Sequence, residues 1–358
     1  MKILDWYIIR KFLGTFFYAI TLLIVIVIIF DLSENMDKFI KNHAPLSAII
    51  FDYYLNFIPY FINLFIYLFT FISVIFFTSK LAGNTEIISM LSSGISFWRL
   101  LVPYIISAIL LAVLSFYLGN FLIPKTNHAR RIFKDKYMEK LTKQGDRNMH
   151  FQIEPGVFAY VESYNKERNS GFRFTLEKFN GQKLVSKLSA QRIERDTINK
   201  KWIIKNYYIR EFKDGKERLR KGTKMDTTLR LKPSDLYTIK EYFEEMNMYQ
   251  LDEYIKAEKL KGSLAYKKYE VEKYKRLASP AAIIILTFIG MALSSRKVRG
   301  GIGMHLGLGI ALTFSYILFM QISTVFSTYG DLSPAIGAWI PNIIYTLIAI
   351  YLLITAPK

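Results

Sequence analysis

The side chains able to do chemistry are few in this sequence. Cysteine is absent, which excludes thiol catalysis, Cys-based zinc sites, iron–sulfur clusters and disulfides. His43, His128, His150 and His305 stand far apart, without metal-ligand spacing, and His305 lies near the end of an apolar run where water can reach it. No G-x-x-x-x-G-K-[ST] phosphate loop occurs, nor an H-E-x-x-H or G-x-S-x-G motif. The reading therefore assigns no catalytic residue, metal or cofactor. What remains is charge at particular places. Glu86 is the sole acid of the connection Lys80-Leu-Ala-Gly-Asn-Thr-Glu86-Ile-Ile-Ser-Met-Leu-Ser-Ser93-Gly94-Ile-Ser-Phe-Trp-Arg99. Within it Ile87, Met90 and Leu91 fall on one side of a short helix that Ser93-Gly94 would cap. A lone loop carboxylate is ordinarily a solvated charge. At the start of an exposed helix it can also dock a soluble motor and pair with a motor arginine.

The elements that must carry these groups are long and apolar. Six stretches lack Lys, Arg, Asp and Glu: 12–30, 53–77, 100–123, 277–293, 302–325 and 335–354. A bilayer core takes about 20 apolar residues of helix, so these predict six membrane spans. Buried core helices would be shorter and amphipathic. The first run lacks a small-residue cleavage site and is expected to stay as a helix. Short connections on one side carry Lys2, Arg10, Lys11, Lys80, Arg99, Arg296, Lys297, Arg299 and Lys358, whereas those on the other carry only Lys38 and Lys41. The basic side is expected in the cytoplasm, with both termini.

Pro124 to Arg276 is then expected outside, holding 37 Lys and Arg against 22 Asp and Glu, a net of +15 out of the chain's +19. Long domains cross a membrane largely regardless of charge. Beyond a membrane, anionic lipid or polysaccharide suits such a surface and nucleic acid does not. From about 150 to 232 the pattern predicts strands: Phe172, Phe174 and Leu176 alternate with polar residues, and Asn180-Gly181 offers a type I′ turn. A second hairpin runs 202–212, turns at Asp214-Gly215 and returns through 223–231. The expected fold is a polytopic six-helix membrane protein with an inserted antiparallel, sandwich or jelly-roll-like β domain. Its parts are three spans over 1–124 with the loop helix at about 80–94, a domain over 125–276, and three spans over 277–358. Ser234 should cap a helical stretch carrying Leu236, Ile239, Phe243 and Met246, and the charged stretch 266–276 should run straight into the fourth span.

At the Glu86…Ser93-Gly94-Ile-Ser-x-x-Arg99…Pro103 run the sequence resembles the coupling-helix motif of the LptF/LptG family, permease subunits of the lipopolysaccharide exporter. Tyr7-Ile-Ile-Arg10, Pro59, Pro124, Leu229-x-Leu231-x-Pro233-x-Asp235-Leu236, Leu251-x-x-Tyr254-Ile255, Glu270-x-Glu272-x-x-Lys275-Arg276-x-x-x-Pro280 and Arg296-Lys297-x-Arg299-Gly300 agree in order and spacing. The resemblance implies an ABC exporter of the bacterial inner membrane. A related permease, a dimer of a cytoplasmic LptB-like ATPase and LptC/LptA-like periplasmic bridge proteins would be its partners. Glu86, Ser93, Gly94 and Arg99 would couple to the ATPase. Lys38, Arg131 and Lys134 match a basic ring for lipid phosphates, with Lys41 nearby, and Asp31 departs from it where some relatives have lysine. Phe172, Phe174, Leu176 and Trp202 are the expected lining of an acyl-chain groove. Two other readings stand beside this one: an ABC permease that transmits force without carrying lipid, and a polytopic lipid-modifying enzyme.

Overall fold

The computed structural model describes residues 2–138, 147–165, 168–196, 201–213, 216–229, 231, 236, 242–260, 266–296 and 301–356. The chain separates into two compact units, one of Met1–Met138, Glu244–Met248 and Lys267–Lys358, the other of Glu139–Phe243 and Tyr249–Tyr266.

The first unit holds six helices long and apolar enough to cross a membrane: α1 (Ile3–Lys41), α2 (Leu46–Gly83), α4 (Phe97–Tyr137), α6 (Tyr266–Ser294), α7 (Gly301–Tyr329) and α8 (Pro334–Thr355). A short helix, α3 (Glu86–Ser92), joins α2 to α4. At 39, 38 and 41 residues, α1, α2 and α4 are each nearly twice what a bilayer core of about 30 Å requires. Their ends therefore reach well past the apolar runs. Both α2 and α4 contain a π-helical segment, Ile49–Tyr54 and Leu118–Leu122, a few residues before Pro59 and Pro124. A proline breaks the ladder of hydrogen bonds one turn back, and a π segment absorbs the mismatch. The third span consequently runs on through Pro124 instead of ending there. Likewise, the charged stretch after Tyr266 is continuous with the fourth span.

The core of this unit is aromatic as well as aliphatic. Phe12 stacks on Phe77 at 5.7 Å and Phe77 on Tyr104 at 5.3 Å, all within one buried cluster with Ile8, Ile66 and Leu111. Among the last three spans, Tyr316 donates to Asn342 Oδ1 (2.9 Å), Asn342 Nδ2 to the Ala278 carbonyl (2.9 Å) and Tyr345 to the Leu312 carbonyl (3.0 Å). Where lipid cannot hydrogen-bond, polar side chains of this kind join one helix to the next.

The second unit carries one antiparallel sheet of six described strands: β1 (Arg147–Glu154), β2 (Val157–Asn165), β3 (Ser170–Asn180), β4 (Lys183–Arg195), β5 (Trp202–Lys213) and β6 (Lys216–Thr227). Each strand pairs with the next, so its described part is a meander, without the crossover of a two-sheet jelly roll. The β3–β4 turn places Gly181 (φ 60°) first of two loop residues, a type II′ arrangement where Asn180-Gly181 suggested type I′. The expected turn at Asp214-Gly215, the Ser234 cap and Ile239 lie outside the described residues. The described helix of the return segment is α5 (Met248–Leu260), preceded by a 3₁₀ turn at Tyr242–Glu245.

One face of the sheet is buried by Ala159, Val161, Phe174, Leu188 and Ala190. Farther along the strands the buried set becomes Tyr164, Ile193, Ile204 and Trp202, displaced by one residue of the two-residue period. The switch falls at Arg173 and Asn206, both in the left-handed region at φ 48° and 51°. A left-handed residue inside a strand rotates the chain beyond it by one position. Phe172 is thereby separated from Phe174 and Leu176: it is 37% exposed, with the Arg192 guanidinium 4.7 Å from its ring.

Candidate functional site

Two groups of residues in the first unit stand out, near opposite ends of its long helices. At one end, α2 stops at Gly83 and Thr85 turns the chain through φ 62° into α3. Ile87 is buried, with Met90 and Leu91 packed against the cluster of Ile8, Phe12, Leu81 and Phe97. Ile88 and Trp98 face out, each 52% exposed. The expected cap at Ser93-Gly94 is a Schellman motif: Gly94 N–H reaches the Leu91 carbonyl (3.1 Å) and Ile95 N–H the Met90 carbonyl (3.2 Å). Gly94 supplies the required φ of 86°. Ser96 Oγ then accepts from Arg99 N–H (3.2 Å) and opens α4.

Glu86 and Arg99 both lean on the first turns of α1. Glu86 accepts from the Tyr7 hydroxyl and from Asn84 Nδ2, each at 3.2 Å. Arg99 Nη2 donates to Asp5 Oδ2 at 2.7 Å, and the Asp5 side chain is only 4% exposed. Sequence reasoning missed Tyr7 and Asp5 as partners, because 79 and 94 residues separate them from Glu86 and Arg99 and no local periodicity spans that distance.

At the other end, Phe39 of α1 meets Tyr53 of α2 (ring centroids 5.7 Å) and Phe133 of α4 (6.0 Å). This contact joins the elements carrying Lys38 and Lys134. Lys38 Nζ donates to Asn35 Oδ1 at 2.9 Å, and Lys41 is exposed on the last turn of α1. Asp31, the departure from the basic pattern, accepts from the hydroxyls of Tyr53 and Tyr54, each at 3.2 Å. Both rings come from the π segment of α2, so the acid is satisfied locally. Arg131 Nε donates to Glu245 Oε1, His128 Nδ1 lies 2.9 Å from Glu245 Oε2, and Asp135 lies 3.7 Å from the guanidinium. Arg130, which sequence reasoning passed over, lies across the rings of Phe57 (5.2 Å) and Tyr60 (5.9 Å). Its only sequence signal was adjacency to Arg131.

In the second unit, Phe174 and Trp202 are fully buried with Leu176 packed beside them, and Trp202 Nε1 donates to the Leu231 carbonyl at 2.9 Å. Phe172 is not part of that group. The apolar face is thus filled by the unit's own side chains, including Leu231 and Leu236.

The family model described as "Lipopolysaccharide export system permease LptF/LptG" matches residues 6–355. The chain is similar to the lipopolysaccharide export system permease protein LptG of Escherichia coli strain K12, 20% identical over 276 residues that cover 76% of each chain. LptG of Escherichia coli O6:H1 is similar to the same degree. The family match runs from the first turns of α1 to the last residue of α8 and leaves no described element outside it, so the chain belongs to the LptF/LptG family.

Proposed function

We infer that, as a member of that family, the chain is a subunit of a lipopolysaccharide export permease, a transporter component of the inner membrane and not an enzyme. We propose that it works as one half of an ABC exporter, taking lipopolysaccharide from the inner membrane and passing it to a periplasmic bridge. The α3 end faces the cytoplasm and docks a dimeric ATPase. The end bearing Lys38, Lys41, Arg131 and Lys134 faces the periplasm and receives the phosphates of the lipid. Arg and Lys at that interface meet phosphate oxygens through charge-assisted bonds of roughly 1.5–3 kcal/mol each, reduced where water screens them. The observation that carries this reading is a capped helix with outward Ile88, followed along the chain by exposed Trp98, at one end of helices whose far ends carry a basic rim. Force transmission without lipid would need the docking end but not the rim.

Photo-crosslinkers at positions 38, 131 and 134 should capture lipopolysaccharide in the assembled complex, and ATP should discharge it. The double substitution Arg131→Glu with Lys134→Glu should abolish capture, while single changes to Ala weaken it partially. Capture by probes on the β surface but not at these three positions would refute the rim.

A further inference from the structure

The first unit includes a short segment, Glu244–Met248, remote in sequence from both helices that hold it. Asn127 Nδ2 donates to the Glu244 carbonyl at 3.5 Å, and Arg276 Nη1 donates to the Met246 carbonyl at 2.7 Å. The backbone is therefore pinned from α4 and α6 independently of the Glu245 side chain. That side chain is 8% exposed and spends both oxygens on α4, one on Arg131 Nε and one on His128 Nδ1. The Arg131 side chain as a whole is 30% exposed, and its guanidinium also lies 3.2 Å from His128 Nδ1 and 3.7 Å from Asp135. Arg276, by contrast, is 8% exposed and divided between Glu272 (3.1 Å) and a carbonyl, an arrangement suited to holding the backbone.

We propose that Glu245 is an internal counter-ion that occupies Arg131 until a lipid phosphate displaces it, and then limits how long the phosphate stays. The inference rests on the reading that Arg131 receives such a phosphate. The planar fork of guanidinium N–H groups can donate to two oxygens of a carboxylate or of a phosphate. A phosphate monoester brings about −1.5 to −2 charge and three acceptor oxygens against the single charge of a carboxylate. It can reach the partly exposed side chain while the pinned backbone leaves the displaced carboxylate close by. There the two anions repel. A carrier site must bind strongly enough to load and weakly enough to unload, and Glu245 supplies the second condition at the residue that supplies the first.

The test uses the assembled complex in nanodiscs containing lipopolysaccharide, with a photo-crosslinking residue in place of Ile40, which is 66% exposed on α1. Capture without ATP and its loss after ATP addition are both read. Glu245→Gln keeps the shape and removes the charge, so capture should rise about fivefold while ATP-driven release slows. Glu245→Asp, which keeps the charge but draws it back from the guanidinium, should show a smaller rise and keep the measurement decisive if the Gln variant assembles poorly. Arg131→Ala should lower capture, and adding Glu245→Gln to it should bring no recovery. Unchanged or lower capture in both Glu245 variants, with Arg131→Ala still defective, would overturn the counter-ion and leave the rim intact. An equal rise in the Arg131→Ala background would overturn it too, since Glu245 would then act through the general field. Capture undiminished in Arg131→Ala would instead remove the headgroup reading on which the inference rests.

Discussion

At the scale of single residues, Glu86 and Arg99 of the connection that should meet the ATPase have different environments. Glu86 is half-buried, and its two hydrogen bonds come from partners it can give up, a tyrosine hydroxyl and a loop amide. Glu86→Ala should weaken ATPase docking or uncouple hydrolysis from transport while the membrane unit still folds; pull-down and coupled-transport assays on the purified complex would show it. Tyr7→Phe should have a milder effect in the same direction, worth about 1.5 kcal/mol, the low end for a hydrogen bond to a charged group. Arg99 differs because its partner Asp5 is covered. Removing one member of a covered pair costs more than removing both, since the survivor is left uncompensated. Arg99→Ala should therefore lower the thermal midpoint more than Arg99→Ala combined with Asp5→Ala, with ATPase affinity changing less than in Glu86→Ala.

At the scale of elements, the shift of buried positions along β3 separates two phenylalanines that alternation alone would treat alike. Phe174 is fully buried in the sheet core and Phe172 is 37% exposed. Truncating a fully buried phenylalanine costs about 3–5 kcal/mol. Phe174→Ala should accordingly unfold the second unit at markedly lower temperature or denaturant, whereas Phe172→Ala should cost less than about 1 kcal/mol; chemical denaturation followed by tryptophan fluorescence separates the two. The same burial bears on the proposed passage of acyl chains. An acyl chain entering the apolar face has to displace the cover at Leu231 and Leu236, and leaving that chain in water costs about 0.8 kcal/mol per CH₂. At the loop helix, Gly94→Ala meets no steric neighbour but must hold φ 86°, so its cost is conformational, about 1–2 kcal/mol, and is expected as weaker ATPase docking.

For the whole molecule, the spans differ in how much of their surface the chain itself covers. The apolar window of α1 is 17% buried and that of α7 28%, against 56% for α6. Lipid can cover the remainder, but so can the second permease that the proposed exporter requires, and the least covered helices are where it fits. The absence of cysteine makes this simple to examine, since any introduced thiol is the only one. Cysteines at Val25 of α1, 50% exposed, and Ile322 of α7, 53% exposed, should crosslink to a partner permease in native membranes. A cysteine at Ile283 of α6, which is fully buried, should not. Equal reactivity at all three sites would argue against a partner on α1 and α7.

Much of this architecture was legible in the sequence because it is written in patterns shorter than one element. Uncharged runs long enough for a bilayer mark the six spans, two-residue alternation marks the strands, and Ser93-Gly94 marks the end of the loop helix. Those signals depend only on backbone geometry and on which solvent each face meets. What only the tertiary structure decided is which distant side chains share a charge. Arg99 finds Asp5 across 94 residues and Arg131 finds Glu245 across 114. The continuation of α4 through Pro124 and the face switch at Arg173 are of the same kind, since neighbouring elements had to make room for them. The basic residues were singled out as a set by resemblance to the family's pattern, which says nothing of their occupancy: a guanidinium takes whichever carboxylate the packing of helices brings to it, and that packing is not a local property of the chain.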